Sequence, residues 1–546
     1  MRWTSLLALL SSLGAIEAGR HTSAHTNRMR NKLHQRAVDN EPRVAKHKAV
    51  PHSFKNSNTA KFIVNGSAIP DTDFDIGESY AGLLPVGGDS NGELYFWFFP
   101  TSDVDTPKEI IIWLNGGPGC SSLQGLLKEN GPFLWPTGTY KPIRNPWSWH
   151  HLTNVVYIDQ PIGTGFSRGN ITATSEKDIA VQFMGFWKNF VDTFGLHGYK
   201  VYLAGESYAG LYCPYIGSAM LDAADTKYFD MDGMLIYDPV ISDSSTQHVP
   251  VNNFVNYWSN VMTFNDTFRV TLANASKTCG FDDFVDKYLT FPPPGRQPDV
   301  KDMPGINEDG DDVRDECALF NLVFSATMAL NPGFNVYQIT QTLPVPDDVL
   351  GLPWTGFYVA EGRQIYFNRT DVKRAINAPL NSDWSVCSKG DVFVEGYDDS
   401  DPSIVRAIPH VIDGTHNVQI SHGSMDFILV SNTTLLAIQN TTWGGKLGFQ
   451  SMPESPLFVP QHPDPKLEGS SGSGVLGTFH TERGLTWSVV NQAGHMVPAY
   501  QAAVAYRQVQ FMLRRIKSLG STQPFPQYPD EPQPDAKGLG QGTGPL

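Results

Sequence analysis

Short apolar runs bounded by Gly and Pro begin at about Ile63 and alternate with longer stretches that have helical periodicity. This alternation is typical of an α/β fold with a mostly parallel central sheet. The clearest predicted strands are Leu94–Phe99, Glu109–Leu114, Val155–Ile158, Lys200–Ala204, Gly233–Tyr237, Val418–Ser421 and Thr486–Val490.

Two helices are predicted from the same pattern. Ser175 and Asp178 form a cap-like start for a helix that runs to Phe194. Its large apolar side chains recur on one face, at Ile179, Phe183, Phe186 and Phe190. The second predicted helix, Pro498–Ile516, would close the domain.

The breaks in the pattern predict the domain boundaries. The core comprises residues 61–241 and 368–518, and the Pro-rich, acidic segment 242–367 is an insertion that covers one end of the sheet. Residues 19–60 are rich in His, Arg and Lys, which favours a propeptide or a disordered leader. The Pro/Gly/Gln-rich residues 519–546 are expected to form a disordered tail.

The first 18 residues indicate a secretory signal, with Arg2 before the apolar stretch Leu6–Ile16 and Ala18 as the cleavage site. We therefore expect the secretory pathway, with the cell exterior favoured over a vacuole, and no membrane anchor. Seven N-x-Ser/Thr sequons support this route as expected glycosylation sites. They begin at Asn65, Asn170, Asn265, Asn274, Asn368, Asn432 and Asn440.

Composition excludes some classes of partner and site. The 546 residues carry a formal net charge of −15 without a basic stripe, which disfavours nucleic acid. Five cysteines suit an oxidising compartment, and the odd count leaves at least one without a partner in the chain. We expect a Cys279–Cys317 disulfide within the insertion. The chain has no C-x-x-C or H-x-x-E pattern, so neither a zinc site nor a metallocarboxypeptidase site is predicted.

The segment KVYLAGESYAG, residues 200–210, predicts a nucleophilic serine. A strand leads into a tight Gly turn that holds Ser207, and a helix of small residues follows. The motif has the form G-x-S-x-A, and Ala209 is tolerable because the position requires only a small side chain. In hydrolases with this turn, the serine is followed along the chain by an acid and then by a histidine.

His495 in NQAGHMVP and Asp426 in SHGSMDF stand in that order, each on a loop after a predicted strand. A serine hydroxyl needs a base to accept its proton, and His495 is the candidate base, with Asp426 orienting it. Taken alone, Asp426 is equally interpretable as a capping carboxylate and His495 as an ordinary loop histidine. The Gly-rich turn WLNGGPGCSS, residues 113–122, can present backbone N–H groups to a developing oxyanion together with Tyr208.

Five motifs together resemble those of the serine carboxypeptidases, in particular secreted, fungal-type members. They are WLNGGPGCSS, DQPIGTGFS (Asp159–Ser167), GESYAGLYCP (Gly205–Pro214), GSMD (Gly423–Asp426) and GHMVP (Gly494–Pro498). The resemblance runs in order from about residue 70 to residue 515. It implies an α/β-hydrolase fold with a helical insertion, and an enzyme that removes the C-terminal residue of peptides through an acyl-enzyme without a cofactor.

The resemblance also implies individual roles. Ser207, Asp426 and His495 would form the triad, and Gly117 and Tyr208 would supply the oxyanion N–H groups. The residues implied to bind the substrate's terminal carboxylate are Asn115, Gly116, Glu129 and Glu206. Cys120 would pair with Cys387, which leaves Cys213 as a buried free thiol.

Glu129 and Glu206 can face a third carboxylate only if they hold protons, because like charges raise at least one pKa. We therefore expect activity to be best at acidic pH. The residues Tyr237-Asp238-Pro239 depart from the Gly-Asn-Gly or Gly-Asn-Pro usual in this family. Two alternatives remain at this stage: an acyltransferase or esterase with the same fold and triad, and a catalytically silent binding protein.

Overall fold

A computed structural model describes residues 53–87, 91–102, 108–308, 312–341, 348–351, 364–464, 467 and 470–526. Predictions for the signal peptide, for most of the leader and for the end of the tail lie outside these residues. The strands are β1 (Ile63–Val64), β2 (Ser79–Pro85), β3 (Glu93–Phe99), β4 (Glu109–Leu114), β5 (Phe133–Leu134), β6 (Ile143–Arg144), β7 (Asn154–Asp159), β8 (Lys200–Glu206), β9 (Asp230–Tyr237), β10 (Val418–Gly423), β11 (Thr442–Trp443), β12 (Lys446–Leu447), β13 (Ser455–Val459), β14 (Gly474–Glu482) and β15 (Leu485–Val490).

The helices are, in chain order, α1 (Leu123–Gly125), α2 (Glu176–Phe194), α3 (Ala209–Ala223), α4 (Val251–Tyr257), α5 (Asp266–Thr278), α6 (Phe281–Tyr288), α7 (Leu319–Leu330), α8 (Thr370–Ala375), α9 (Ala407–Thr415), α10 (Ser431–Gln439), α11 (Val497–Tyr500) and α12 (Ala502–Met512). A π-helical turn, Leu126–Asn130, follows α1 directly. Among the described residues, none of the helices has the length and apolar character needed to span a membrane.

The main sheet contains eleven of these strands in the order β1-β2-β3-β7-β4-β8-β9-β10-β15-β14-β13. The six central strands, from β7 to β15 in that order, are parallel to one another. The remaining strands add antiparallel edges on both sides. A mostly parallel sheet with helices was predicted, and this part of the prediction is confirmed.

Alternation along each central strand builds two cores. In β4, Ile110 and Ile112 contribute to one apolar layer, whereas Ile111 and Trp113 contribute to the layer on the opposite face. The first layer holds the aromatic face of α2, with Phe183, Phe186 and Phe190 among the buried side chains. The core is therefore covered on both faces, as parallel sheets require.

A third apolar cluster belongs to the segment predicted as an insertion. It gathers buried side chains of α4 to α7 and includes both Cys279 and Cys317. Phe427, which follows the Asp426 loop, joins this cluster and stacks on Phe320 with ring centroids 4.9 Å apart. The helices of this segment therefore pack on a loop that follows a central strand.

The structure differs from the predicted elements at both ends of the folded part. Phe54 is buried and its ring lies 5.2 Å from that of Phe98, so the end of the predicted leader packs on the sheet through this side chain. Phe525 packs 4.9 Å from Trp147, so the first residues of the predicted tail are also part of the packed structure. The single helix predicted over Pro498–Ile516 is wrong: α11 and α12 are separated by Gln501, whose backbone is not helical (φ −134°, ψ 65°), and α12 ends at Met512.

Candidate active site

Three strands, β8, β10 and β15, bring the predicted catalytic residues to one edge of the sheet. Ser207 follows β8, Asp426 lies after β10, and His495 lies after β15. Because β8, β9, β10 and β15 are parallel and adjacent, their carboxyl ends meet at the same edge. Ligand and catalytic sites of open α/β sheets occur at such an edge.

Ser207 occupies a strained turn. Its φ of 61° lies in the left-handed region, which a non-glycine residue seldom adopts. The Ser207 N–H donates to the Tyr237 carbonyl at 2.9 Å, and the Ser207 carbonyl accepts from Gly210 and Val240, each at 2.9 Å. These hydrogen bonds hold a conformation that the residue would not adopt alone, as in the nucleophile turn of hydrolases.

His495 and Asp426 form a buried pair. The Nδ1 atom of His495 lies 2.8 Å from Asp426 Oδ2, and Asp426 Oδ1 accepts from the N–H groups of Ile428 at 2.9 Å and Leu429 at 3.3 Å. Burial acts to lower the pKa of His495, but the Asp426 and Glu206 carboxylates together act against it and the net shift is upward. Because Nδ1 is bound to Asp426, Nε2 is the ring nitrogen that remains to act as the base.

The insertion reaches this pair as well. The Tyr337 carbonyl accepts from the backbone N–H of His495 at 2.8 Å, and the centroid of the Tyr337 ring lies 5.2 Å from that of the His495 imidazole. The Met425 carbonyl accepts from the Ile339 N–H at 3.2 Å. The loops that bear the acid and the base are therefore fixed from the side of the insertion.

The Gly-rich loop touches the serine turn through its backbone. A Cβ atom at Gly116 would lie 2.4 Å from the Tyr208 nitrogen and 2.8 Å from Ser207 Cβ, so no side chain fits there. Gly117 has a φ of 115°, which favours glycine. The predicted oxyanion residues Gly117 and Tyr208 thus belong to two segments in direct contact.

Asp159, from the DQPIGTGFS motif, anchors the same loop. Its carboxylate accepts from the Ser121 hydroxyl at 2.6 Å, from the Ser122 N–H at 3.0 Å and from the Phe166 N–H at 2.9 Å. Burial raises the pKa of Asp159 to about 6. The motif was recognised in the sequence, but this anchoring by Asp159 was not predicted from it.

Asn115 joins the loop to Glu206. Its Oδ1 accepts from Trp113 Nε1 at 2.7 Å and from the Gly125 N–H at 3.1 Å, and its Nδ2 donates to Glu206 Oε1 at 2.7 Å. Both acceptor contacts fix the orientation of the amide. As a result the Asn115 amide donor points at Glu206, the residue directly before Ser207.

Glu129 lies in the π-helical turn and interacts with Glu206. Neither carboxyl oxygen of Glu129 has a hydrogen-bond donor among the described residues, and Oε2 of Glu206 also lacks one. Burial, reinforced by the Glu206 carboxylate, raises the pKa of Glu129 well above its usual value. Burial also raises the pKa of Glu206, although the positive charge of His495 acts to lower it. Two such acceptors can bond to each other only through a proton.

The sequence of this chain is similar to those of known proteins. The family model for "Serine carboxypeptidase" matches residues 70–515. A protein of Arthroderma benhamiae named "Probable serine carboxypeptidase" is 47% identical over 85% of this chain and 88% of its own length. "Serine-type carboxypeptidase F" of Aspergillus niger is 43% identical, with coverage of 86% and 89%.

The chain belongs to the serine carboxypeptidases. A solved prohormone-processing carboxypeptidase from Saccharomyces cerevisiae has a similar fold, with a TM-score of 0.65 and 25% identity over 85% of this chain and 98% of that one. The α/β-hydrolase fold and the serine-type carboxypeptidase activity expected from the motifs are therefore confirmed.

The serine carboxypeptidase contains both predicted disulfides, Cys120–Cys387 and Cys279–Cys317, and Cys213 is a buried free thiol. The first disulfide joins the Gly-rich loop to the segment around Val386, whose carbonyl accepts from the Ser121 N–H at 2.7 Å. Ser388 adds a second backbone bond, from its N–H to the Gly119 carbonyl, at 2.8 Å.

Two buried groups beside the triad of this carboxypeptidase were not predicted as site residues. Asp238 follows β9, and His422 lies in β10; both side chains are completely buried. The signal that could have found Asp238 was present, since it stands where the family pattern has Asn. For His422 the sequence carries no comparable signal, because a histidine inside an apolar strand indicates only a buried ring.

Proposed function

We propose that Ser207 is the nucleophile of this carboxypeptidase, that His495 is its base and that Asp426 orients His495. Ser207 Oγ attacks the last peptide carbonyl while its proton passes to His495 Nε2. The N–H groups of Gly117 and Tyr208 stabilise the oxyanion. His495 then protonates the departing amine, the C-terminal amino acid leaves, and water clears the acyl-enzyme with His495 again acting as the base.

The observation that carries the exopeptidase specificity is the buried group formed by Asn115, Glu129 and Glu206, directly before Ser207. The Asn115 Nδ2 donor lies 2.7 Å from Glu206 Oε1. Protonated carboxyls next to this amide can donate hydrogen bonds to the carboxylate of a peptide C-terminus, and the Gly116 backbone adds a further contact. An ionised pair would repel the same group, so binding is strongest in acid.

The reaction can be tested with blocked dipeptides that carry either a free or an amidated C-terminus, from about pH 4 to pH 7. We expect cleavage of the free acid only, and a loss of at least about 10⁴-fold in kcat for Ser207→Ala. Equal cleavage of acid and amide would contradict recognition of the C-terminus. Transfer of the acyl group to an added alcohol or amine in preference to water would favour an acyltransferase.

The acidic optimum is tested by the double variant Glu129→Gln, Glu206→Gln. Wild-type KM should rise from acid toward neutral pH as the pair loses its proton, whereas the variant should show a nearly flat KM because amides donate at any pH. Glu109→Gln is the matched control, since Glu109 is buried at the start of β4, at the opposite end from Asn115. Parallel KM profiles for the wild type and the double variant would refute the paired-carboxyl proposal.

Secretion and glycosylation form part of the same proposal. Two disulfides suit an oxidising compartment, and the sequon residues Asn65, Asn170, Asn265 and Asn274 are exposed. Asn432 and Asn440 are half-buried. Asn368 is the least suited, because its Nδ2 donates to the Trp384 carbonyl at 2.6 Å and its Oδ1 accepts from the Trp384 N–H at 2.7 Å.

Peptide mapping of the secreted protein before and after enzymatic deglycosylation checks this proposal. We expect glycans on the four exposed residues and an unmodified Asn368, since its Nδ2, the atom that would carry the glycan, is already bound to the Trp384 carbonyl. A fully glycosylated Asn368, or four bare exposed sequons, would contradict it.

A further inference from the structure

Asp238 lies between the nucleophile and the acid of the triad. It follows β9, which is paired on one side with β8, the strand before Ser207, and on the other with β10, the strand before Asp426. The Asp238 N–H donates to the Ser421 carbonyl at 2.8 Å, which holds its backbone against β10. Its φ of 41° turns the chain sharply at this point.

The Asp238 carboxyl is completely buried beside the Asp426–His495 pair. One oxygen of Asp238, one oxygen of Asp426 and one ring nitrogen of His495 all lie within 4.8 Å of one another. The Gly423 N–H donates to both Asp238 oxygens, at 2.9 Å and 3.2 Å. A single N–H shared in this way is weak support for a buried negative charge.

The other groups around Asp238 also fail to offset a charge. His422 Nδ1 lies 3.2 Å from Asp238 Oδ1, outside hydrogen-bond alignment, and burial lowers the pKa of His422 to about 3, so this ring is neutral in the acidic range. The remaining titratable groups that interact electrostatically with Asp238 are the carboxyls of Asp426 and Glu206 and the hydroxyls of Tyr237 and Tyr500. His495 is the one cation of the cluster, and it already binds Asp426.

Burial, together with the Asp426 carboxylate, raises the pKa of Asp238 well above its usual value. This direction agrees with the geometry, because two buried carboxyls so close together cannot both be ionised beside one imidazolium. Asp238, whose pKa is raised, is therefore the carboxyl that retains a proton.

We propose that Asp238 is a positioning residue of the triad, which keeps a proton in the acidic range and directs it at Asp426. Asp426 then shares its charge between this proton and His495. An ionised Asp238 would expose the imidazole to two carboxylates and would keep it protonated, and so useless as a base, to higher pH. The neutral acid thus lets His495 accept the Ser207 proton in the same acidic range in which the Glu129–Glu206 pair binds substrate. The inference rests on the proposed roles of Asp426 and His495.

Two substitutions separate a proton donor from a merely structural side chain. Asp238→Asn has nearly the same shape, is neutral and keeps a donor, so the pH at which kcat falls on the acid side should stay within about 0.3 of the wild-type value. Asp238→Leu removes the donor, leaves the Asp426 charge undivided, and should move this acid limb about half to one pH unit higher. Should the Leu variant not fold, Asp238→Ala provides the same comparison.

Stability provides a readout independent of activity. The wild type and Asp238→Asn should have nearly equal Tm in acid. As pH rises, the Tm of the variant should increasingly exceed that of the wild type, because only the wild type must give up a buried proton. The proposal would be overturned if the acid limb of Asp238→Asn lay about one pH unit lower than that of the wild type, or if the limb did not move in the Leu and Ala variants. It would also be overturned if the Tm difference between Asp238→Asn and the wild type shrank as pH rises.

Asp426→Asn tests the triad separately, with an expected loss of about 10⁴-fold in kcat.

Discussion

At the scale of single residues, Gly116 shows how closely the site is packed. A Cβ atom there would meet the Tyr208 nitrogen at 2.4 Å, the Glu206 carbonyl at 2.7 Å and Ser207 Cβ at 2.8 Å. Two of these atoms are backbone atoms of the strained turn and cannot move aside. Even a methyl group would therefore separate the Gly-rich loop from the nucleophile.

We predict that Gly116→Ala lowers kcat by about 10²–10³-fold, the cost typical of one lost oxyanion donor. Gly390→Ala is the control, because no atom lies within 4 Å of a Cβ there and its backbone is not in the left-handed region. Steady-state kinetics with the same dipeptide measure both. A nearly wild-type kcat for Gly116→Ala would mean that the loop supplies no donor.

The site residues divide into those that sequence could predict and those that it could not. Ser207, Asp426 and His495 were predictable because each stands in a motif after a recognisable strand. Asp238 was visible as a departure but had no function attached, since only folding places β9 between β8 and β10. The contact of the Tyr337 carbonyl with His495 could not be predicted, because any residue type can supply a backbone carbonyl.

At the scale of elements, the central strands were predicted to within a few residues because they are continuous apolar runs buried on both faces. Outside the parallel centre, β3 was also predicted, but β1, β2, β13 and β14 were missed. In β14 exposed and half-buried side chains predominate, and β2 contains Gly82 and ends in Pro85, both poor strand residues. The break at Gln501 between α11 and α12 also carries no Gly or Pro to signal it.

The Cys120–Cys387 disulfide links two segments that no regular element joins. Replacing both residues by Ser should lower kcat several-fold, because the covalent link between the Gly-rich loop and the segment around Val386 is then lost and hydrogen bonds such as those to Val386 and Ser388 remain. It should also cost about 2–5 kcal/mol of stability. Kinetics and thermal unfolding measure the two effects.

The matched control is the double Ser variant of Cys279 and Cys317, whose disulfide closes a loop within the insertion. It should lose stability with little change in kcat, because Cys279 and Cys317 lie in the insertion cluster. If both variants lost kcat to the same degree, the first disulfide would have no special relation to the active site.

At the scale of the whole molecule, the buried acids set the pH dependence of stability. Glu129, Glu206, Asp238 and Glu176 all have a raised pKa in the folded state, with burial as the largest cause. An acid of this kind favours folding while it is protonated, and its contribution is lost as pH rises from the unfolded pKa through the folded pKa. Exposed carboxylates with a lowered pKa, such as Asp371 beside Arg369, have the opposite effect: they stabilise the fold while ionised, and this contribution is lost as pH falls below their usual pKa. Their effect is small because solvent screens them.

We therefore predict that Tm is highest in mild acid, near about pH 4–5, and falls toward neutrality. Glu176→Gln isolates one contribution: Glu176 is completely buried, and neither of its oxygens has a hydrogen-bond partner among the described residues. Its Tm should match the wild type at the acidic end and exceed it increasingly at higher pH. A constant difference across the range, or a wild-type Tm that climbs to neutral pH, would show that these acids are ionised in the folded protein.

Cys213 gives the nucleophile turn an internal reporter. The thiol is completely buried in α3, and a Cβ atom at Gly205 would lie only 3.3 Å from its sulfur, so it lies directly behind the strand that carries Ser207. An alkylating reagent can reach this sulfur only after α3 has separated from β8. The rate at which the one free thiol is modified therefore times the opening of the catalytic turn, without any substrate present.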